Sequence, residues 1–159
     1  MNRQRTTGFT LIELMVVMVI IAMLAAITIG ATKYAWAKAA NSRAQGEIAT
    51  MESSLESYRI DNGIFPDSTA TRNDFTNNCS KLYAALALGP KKYFNFKADQ
   101  IQVVSATQTN IIDPYGHAYN YYCAGGTGYF NKATFDLWSY GADRINNEGT
   151  NDDLTNWRR

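Results

Sequence analysis

Histidine is nearly absent from this chain: His117 is the only one in 159 residues, and cysteine occurs only as Cys79 and Cys123. There is no CxxC pair and no cluster of histidines, so a metal site built on nitrogen and sulfur ligands finds no support. No nucleophile–base pair is visible, and His117 reads as a surface turn residue rather than a ligand or a base. An excess of basic charge is also missing. The chain has 15 Lys and Arg against 14 Asp and Glu, a formal charge of +1, and setting aside Arg3 and Arg5 turns it to −1. No basic surface is implied, and nucleic acid is not expected as a partner. Internal repeats are absent.

The length suits one anchored domain, and 10 Tyr point to a compact fold rather than disorder. The strongest feature is the apolar run from Phe9 to Ile29, about 21 residues or roughly 32 Å of helix, which is a membrane-spanning length. One carboxylate, Glu13, interrupts it. A charge at the centre of a spanning helix costs roughly 2.5–3.5 kcal/mol, so Glu13 calls for a partner. Three readings compete. A secretory signal peptide has a shorter apolar core and a small-residue cut site after it. A plain anchor fits the length, and Arg3 and Arg5 put its N-terminal side in the cytoplasm, but it leaves Glu13 unexplained.

The third reading rests on Gly8-Phe9-Thr10-Leu11-Ile12-Glu13-Leu14, which resembles the leader junction of type IV pilins and type II secretion pseudopilins. The resemblance implies that a prepilin peptidase cuts between Gly8 and Phe9 and methylates Phe9. It implies too that Glu13 pairs with the N-terminal amine of a neighbouring subunit in a filament. A buried carboxylate is tolerable when paired with a cation. Residues 1–8 are then a leader, 9–31 the membrane and filament-core helix, and 32–159 a periplasmic domain. Gly30 stands where many members of that family have Pro.

Beyond the apolar run no strong breaker except Gly46 occurs before Asp61. Ala37, Ala44, Ile48, Met51, Leu55 and Tyr58 recur at helical spacing, with Arg43, Glu47, Glu52 and Glu56 largely off that stripe. The stripe is expected to pack on the chain's own sheet. Small residues from Ala31 to Ala44 would permit close approach of neighbouring helices. Asn62-Gly63 reads as a C-terminal cap and Pro66 prevents resumption. One helix from Phe9 to Asp61 would be about 80 Å long.

In the remaining chain, Asp67–Asn78 reads as a surface loop and Cys79–Leu88 as a short helix with Leu82, Tyr83 and Leu86 on one face, stopped by Gly89-Pro90. Ile101–Ser105, Ala118–Cys123 and Thr134–Tyr140 read as strands, and Asp113-Pro114-Tyr115-Gly116 as a turn. The expected class is α+β, a pilin-like long helix on a small antiparallel sheet. In a domain exported past a membrane, Cys79 and Cys123 read most simply as one disulfide. It would enclose about 45 residues, with about 4 kcal/mol as the chain-entropy ceiling.

The last stretch, from Tyr140 to Asp153, brackets an Asn- and Gly-rich loop with three Asp. Such a loop suits a hard cation such as Ca²⁺, and suits a solvated polar loop equally well. It is not an EF-hand: counting from Asp143, the third position is Ile145 and the sixth is Glu148. Asp61-Asn62-Gly63-Ile64-Phe65-Pro66, Asp113 to Tyr119, Phe135 to Asp143 and Asn151 to Trp157 resemble, in order, the signatures of the major pseudopilin of type II secretion systems. That resemblance implies a structural Ca²⁺ held by Asp143, Asp152 and Asp153, by backbone carbonyls of Tyr140 and Ile145, and by Thr150. Arg144 stands where the family has Gly, and the loop is about two residues longer. The implied role is not enzymatic. The chain would polymerise into a secretion pseudopilus, with prepilin peptidase, an inner-membrane assembly platform and minor pseudopilins as partners. A type IV pilin for adhesion, motility or DNA uptake is the alternative, and an anchored enzyme or Ca²⁺-dependent binding module the reading from a different class.

Overall fold

The computed structural model describes residues 8–68 and 75–157. The expected leader therefore lies outside the described residues except for Gly8. Helix α1 runs unbroken from Leu11 to Asn62, through both Gly30 and Gly46. No proline precedes Pro66, so nothing removes an N–H from its ladder. It ends as the Asn62-Gly63 pair suggests: Gly63 takes a positive φ of 80°, and its N–H donates to the Arg59 carbonyl at 2.7 Å, a left-handed cap that glycine adopts without steric cost.

Contacts divide the chain into two compact units, Met1–Lys38 and Ala39–Arg159. In the first, every large apolar side chain from Phe9 to Ile29 is exposed. In the second, the remainder of α1 presents Ala44, Ile48, Met51 and Leu55 to a core that includes Leu82, Leu86, Ile111, Tyr119, Tyr121, Phe135 and Leu137. Tyr58 continues that stripe by packing edge-on against Tyr93, with ring centroids 5.2 Å apart, whereas Ala37 is exposed. Glu47 departs from its expected outward place. Its carboxylate accepts the Tyr119 hydroxyl at 2.8 Å, the Gln100 amide at 3.0 Å and Arg43 Nε at 2.8 Å. Arg43 also reaches Asp99. A carboxylate this enclosed is tolerable because each oxygen has a donor.

Helix α2 spans Phe75–Tyr83 and continues as a π-helical turn, Ala84–Leu88. It therefore begins inside the segment expected to be loop, and its last turn is wider than α. Leu82 and Leu86 are fully buried and Tyr83 packs against the core. A 3₁₀ turn, Ala98–Gln100, leads into β1 (Ile101–Ser105), which pairs antiparallel with β2 (Gln108–Ile111). A second sheet has the order β3-β4-β5, with β3 Asn120–Tyr122, β4 Asp136–Ser139 and β5 Leu154–Thr155. Its register places Asn120 opposite Trp138 and Ser139 opposite Leu154. The α+β class is as expected, but the single small sheet is two, and β2 and β5 have no counterpart in the sequence pattern. Both are short: β5 is two residues, too few for a visible period of two.

Short strands leave many loop N–H groups without ladder partners, and buried carboxylates take them up. Asp136, 1% exposed, accepts the N–H groups of Tyr129, Phe130 and Asn131 at 2.7–2.9 Å. A Cβ added at Gly128 would lie 2.5 Å from Asp136 Oδ1, so glycine is required where this loop folds over the carboxylate. We predict that Asp136→Asn, which exchanges the charge for an amide, lowers the unfolding free energy of the soluble unit by about 2–3 kcal/mol. Urea unfolding followed by tryptophan fluorescence measures this, and a midpoint equal to wild type would refute it.

Candidate functional site

The first site is the start of α1. Gly8, Phe9 and Thr10 precede the helix in irregular, exposed backbone. A Cβ added at Gly8 meets nothing within 4 Å, so the fold places no demand for glycine there, and the junction is open to a protease. Glu13 sits in the first helical turn and is held by Thr10. Its Oε2 accepts the Thr10 N–H at 2.8 Å and the Thr10 hydroxyl at 2.7 Å, while Thr10 Oγ1 accepts the Glu13 N–H at 3.3 Å. This is a capping box, in which two orphan donors of a helix start are satisfied reciprocally. The helix dipole also favours a negative charge at this end. Glu13 thus has a partner within its own chain. Thr10 is the residue the sequence reading overlooked, although Thr-x-x-Glu ahead of an apolar run is a readable cap signature.

The second site is the C-terminal loop. Asp152 Oδ2 accepts the N–H groups of Ala142 and Asp143 at 2.6 and 2.9 Å. Asp143 accepts the Ile145 N–H at 2.8 Å and the Asn147 amide at 3.0 Å. Asp153 Oδ2 accepts the N–H groups of Asn147 and Gly149 at 2.9 and 2.8 Å. The Thr150 hydroxyl donates to the Asn147 carbonyl, and the Ile145 carbonyl accepts the Asn147 amide at 3.3 Å. Tyr140 is half-buried at the loop's entrance. Asn147, which the sequence reading did not single out, therefore joins Asp143, Ile145, Thr150 and Asp153. Among the described residues no group of three or more His, Cys, Asp or Glu is arranged to hold a metal ion; the loop's carboxylates are turned onto its backbone.

Two observations nevertheless suit a cation here. Asp153 Oδ1 is buried without a hydrogen-bond partner. Burial pushes the Asp153 carboxyl above its ordinary range, the N–H groups of Gly149 and Asn147 counter this, and the charges of Asp152 and Asp143 push it further up. The donor set is hard oxygen throughout, as Ca²⁺ requires. The backbone is also strained: Arg144, Glu148 and Asn151 hold φ of 65°, 54° and 55°, a left-handed region uncommon for residues other than glycine. At Gly141 an added Cβ would fall onto the Asp152 carbonyl oxygen.

Comparison with known proteins places these two sites in one family. A family model described as "Type II secretion system (T2SS), protein G" matches residues 33–157. The chain belongs to this family. A second model, "Prokaryotic N-terminal methylation motif", matches residues 3–29, which include Gly8, Phe9 and Glu13. Among curated relatives, the type II secretion system core protein G of Pseudomonas aeruginosa is 30% identical over 99% of this chain and 99% of its own length. Its namesake from Escherichia coli strain K12 is 32% identical over 98% of this chain and 92% of its own. A solved structure, of the major pseudopilin from the type 2 secretion system of enterohaemorrhagic Escherichia coli, aligns with a TM-score of 0.43 at 24% identity over 76% of this chain and 88% of that one.

The turn at Asp113 is held by its own hydrogen bonds. Asp113 Oδ1 accepts the N–H groups of Tyr115 and His117 at 2.9 and 2.8 Å, and its other oxygen accepts the Ser139 hydroxyl. Ser139 is fully buried, so this Ser–Asp contact offers no access to a substrate. His117 is half-buried rather than at the surface, and its Nε2 is enclosed without a partner.

The expected Cys79–Cys123 disulfide is not formed: both are free and buried. Cys79 on α2 faces β2 instead, where its sulfur accepts the Ile111 N–H at 3.1 Å. The backbone at Cys123 is tied to Ser68, whose N–H donates to the Cys123 carbonyl at 2.7 Å. Burial pushes the Cys79 thiol up to about 12 and raises that of Cys123 as well. Since the thiolate is the nucleophile, both should resist alkylation in the native protein at about pH 8. Unfolding without reductant should then expose two reactive thiols. Mass spectrometry after iodoacetamide treatment checks this, and an unlabelled unfolded chain would establish the bridge.

Proposed function

We propose that this chain is the structural subunit that polymerises into a type II secretion pseudopilus, a role that requires no catalysis. The observation that carries the proposal is the join within α1. A methylation motif opens a helix whose large apolar side chains are all exposed as far as Ile29, and that helix runs on into residues matched by the protein G family model. Among the described residues α1 is the one helix long and apolar enough to cross a membrane. The precursor waits in the inner membrane, with Arg3 and Arg5 on the cytoplasmic side and the head in the periplasm. Prepilin peptidase cuts the exposed Gly8–Phe9 bond and methylates the amine that the cut creates.

Within a single chain Glu13 accepts from Thr10. In the filament it exchanges that neutral donor for the charged amine of Phe9 on a neighbour. The amine adds a Coulombic attraction that a neutral donor lacks, and removal from water strengthens it further. Register follows, because only one axial offset brings Glu13 opposite an amine. Burial of the apolar side chains supplies most of the cohesion, at roughly 1.5–3 kcal/mol for each large one fully buried. The assembly platform and minor pseudopilins are the partners this role implies.

The experiment joins processing to assembly. Subunit recovered from secreting cells should begin at a methylated Phe9 by mass spectrometry. Glu13→Gln keeps an oxygen for Thr10 and loses the charge, and should be processed yet yield about tenfold fewer fibres or less, equivalent to at least roughly 1.4 kcal/mol per junction. A chain that retains Met1, or a variant that assembles normally, would refute this reading.

The C-terminal loop supplies the second element of the proposal. Asp143, Asp152 and Asp153, with Thr150 and the carbonyls of Tyr140 and Ile145, would hold a Ca²⁺ ion. When bound, the ion supplies the positive charge that the three carboxylates lack. Asp153 offers the orphaned oxygen, while Asp143 and Asp152 would release backbone N–H groups to turn inward. The loop carries β5, so its order is coupled to the second sheet. Saturating Ca²⁺ should raise the melting temperature of residues 32–159 by about 5–10 °C over chelator, and Asp153→Asn should abolish the difference. Equal melting temperatures with Ca²⁺ and with chelator would sink the calcium proposal alone.

A further inference from the structure

Just past the apolar run, two aromatic side chains stand fully out from α1: Tyr34 is 72% and Trp36 is 77% exposed. Lys33 and Lys38 flank them and are exposed too. All four lie in the first compact unit. From Glu13 to Tyr34 the helix rises about 32 Å, close to the roughly 30 Å of a bilayer's hydrocarbon core. If the polar Thr10–Glu13 start marks one interface, this cluster falls at the other.

The angular distribution separates two kinds of contact. At 3.6 residues per turn, Lys33, Tyr34, Lys38 and Trp36 point to roughly 0, 100, 140 and 300 degrees around the axis. A seam against another helix gathers its large residues into one stripe. Here they surround the helix, as a layer that meets it from every side would require. The chemistry agrees. Tyr and Trp carry an apolar ring with one polar tip and favour the headgroup level of a bilayer. Lysines reach lipid phosphates while their stems lie along apolar surface.

We propose that Lys33, Tyr34, Trp36 and Lys38 form an interfacial belt that docks the phospholipid headgroups of the leaflet next to the protein's head. The proposal rests on the reading of α1 as membrane-spanning. The belt fixes how deep the helix sits before assembly. Its contacts with lipid are given up when the subunit is drawn out, so it sets part of the resistance to extraction. The small residues between, Ala35 and Ala37, leave the helix slim enough for lipid to approach the rings.

The test uses the full chain reconstituted into vesicles of phosphatidylethanolamine and phosphatidylglycerol. The Trp36 signal is the fluorescence difference between wild type and Trp36→Phe, which leaves Trp138 and Trp157 as common background. Flotation with the vesicles is measured first. Lipids brominated near the headgroup should quench Trp36 at least about twofold more than lipids brominated near the bilayer centre, and aqueous iodide should quench it weakly. A chain that floats while Trp36 is open to iodide and untouched by brominated lipid overturns the belt and leaves the membrane reading standing. Stronger quenching from the bilayer centre also overturns it. Iodide protection that persists in detergent and rises with chain concentration would assign Trp36 to a contact between copies instead. A chain that fails to float overturns the membrane reading and the belt together.

Discussion

An apolar helix surface with no cover inside its own chain is the constraint from which the rest of this protein follows. From Phe9 to Ile29 every large side chain is exposed, and no rearrangement within a helix can hide them. Under the proposed role lipid covers this surface first and like surfaces afterwards, and both can do so because dispersion and the exclusion of water are non-directional. Non-directional cohesion cannot set register. A single ionised group can, since its partner must be placed within a few ångströms. In the proposed filament Glu13 is that group, and within one chain its carboxylate accepts from Thr10.

The head solves a different difficulty. Its strands span two to five residues, so ladder hydrogen bonds satisfy only part of the backbone. Asp113, Asp136, Asp152 and Asp153 each collect two or more N–H groups from the turns around them. Glu47 does the same for side chains, and so joins α1 to Tyr119. Two of these carboxylates sit in the C-terminal loop with Asp143 and three left-handed residues other than glycine. There the carboxylates outnumber the cations, and one oxygen of Asp153 is left bare. That imbalance, more than the count of acidic residues, distinguishes the loop from the other aspartate-centred turns.

Helical periodicity was legible wherever it ran long. Ala44, Ile48, Met51 and Leu55 lie in the core as their spacing predicts, and Gly63 caps the helix where Asn62-Gly63 suggests. The Thr10–Glu13 box was equally visible as Thr-x-x-Glu ahead of an apolar run. The two-residue β5 and the four-residue β2 were not legible, because too few residues carry the alternation. The start of α2 at Phe75 was hidden by a polar composition that also describes loops. Two cysteines in a domain expected to be exported made a disulfide the natural reading. Only the fold reveals that Cys79 addresses the Ile111 backbone.

Sequence alone determined the apolar run, its single carboxylate, the Gly8–Phe9 junction and the order of the acidic turns, since each is a local property of type and spacing. Tertiary structure decided which carboxylates face N–H groups and which oxygen is left bare. It decided as well that the two thiols are free and that the small sheet is two. The carboxylate contacts span only two to ten residues, but they depend on backbone turns that the folded head imposes, and residue type and spacing do not carry that information.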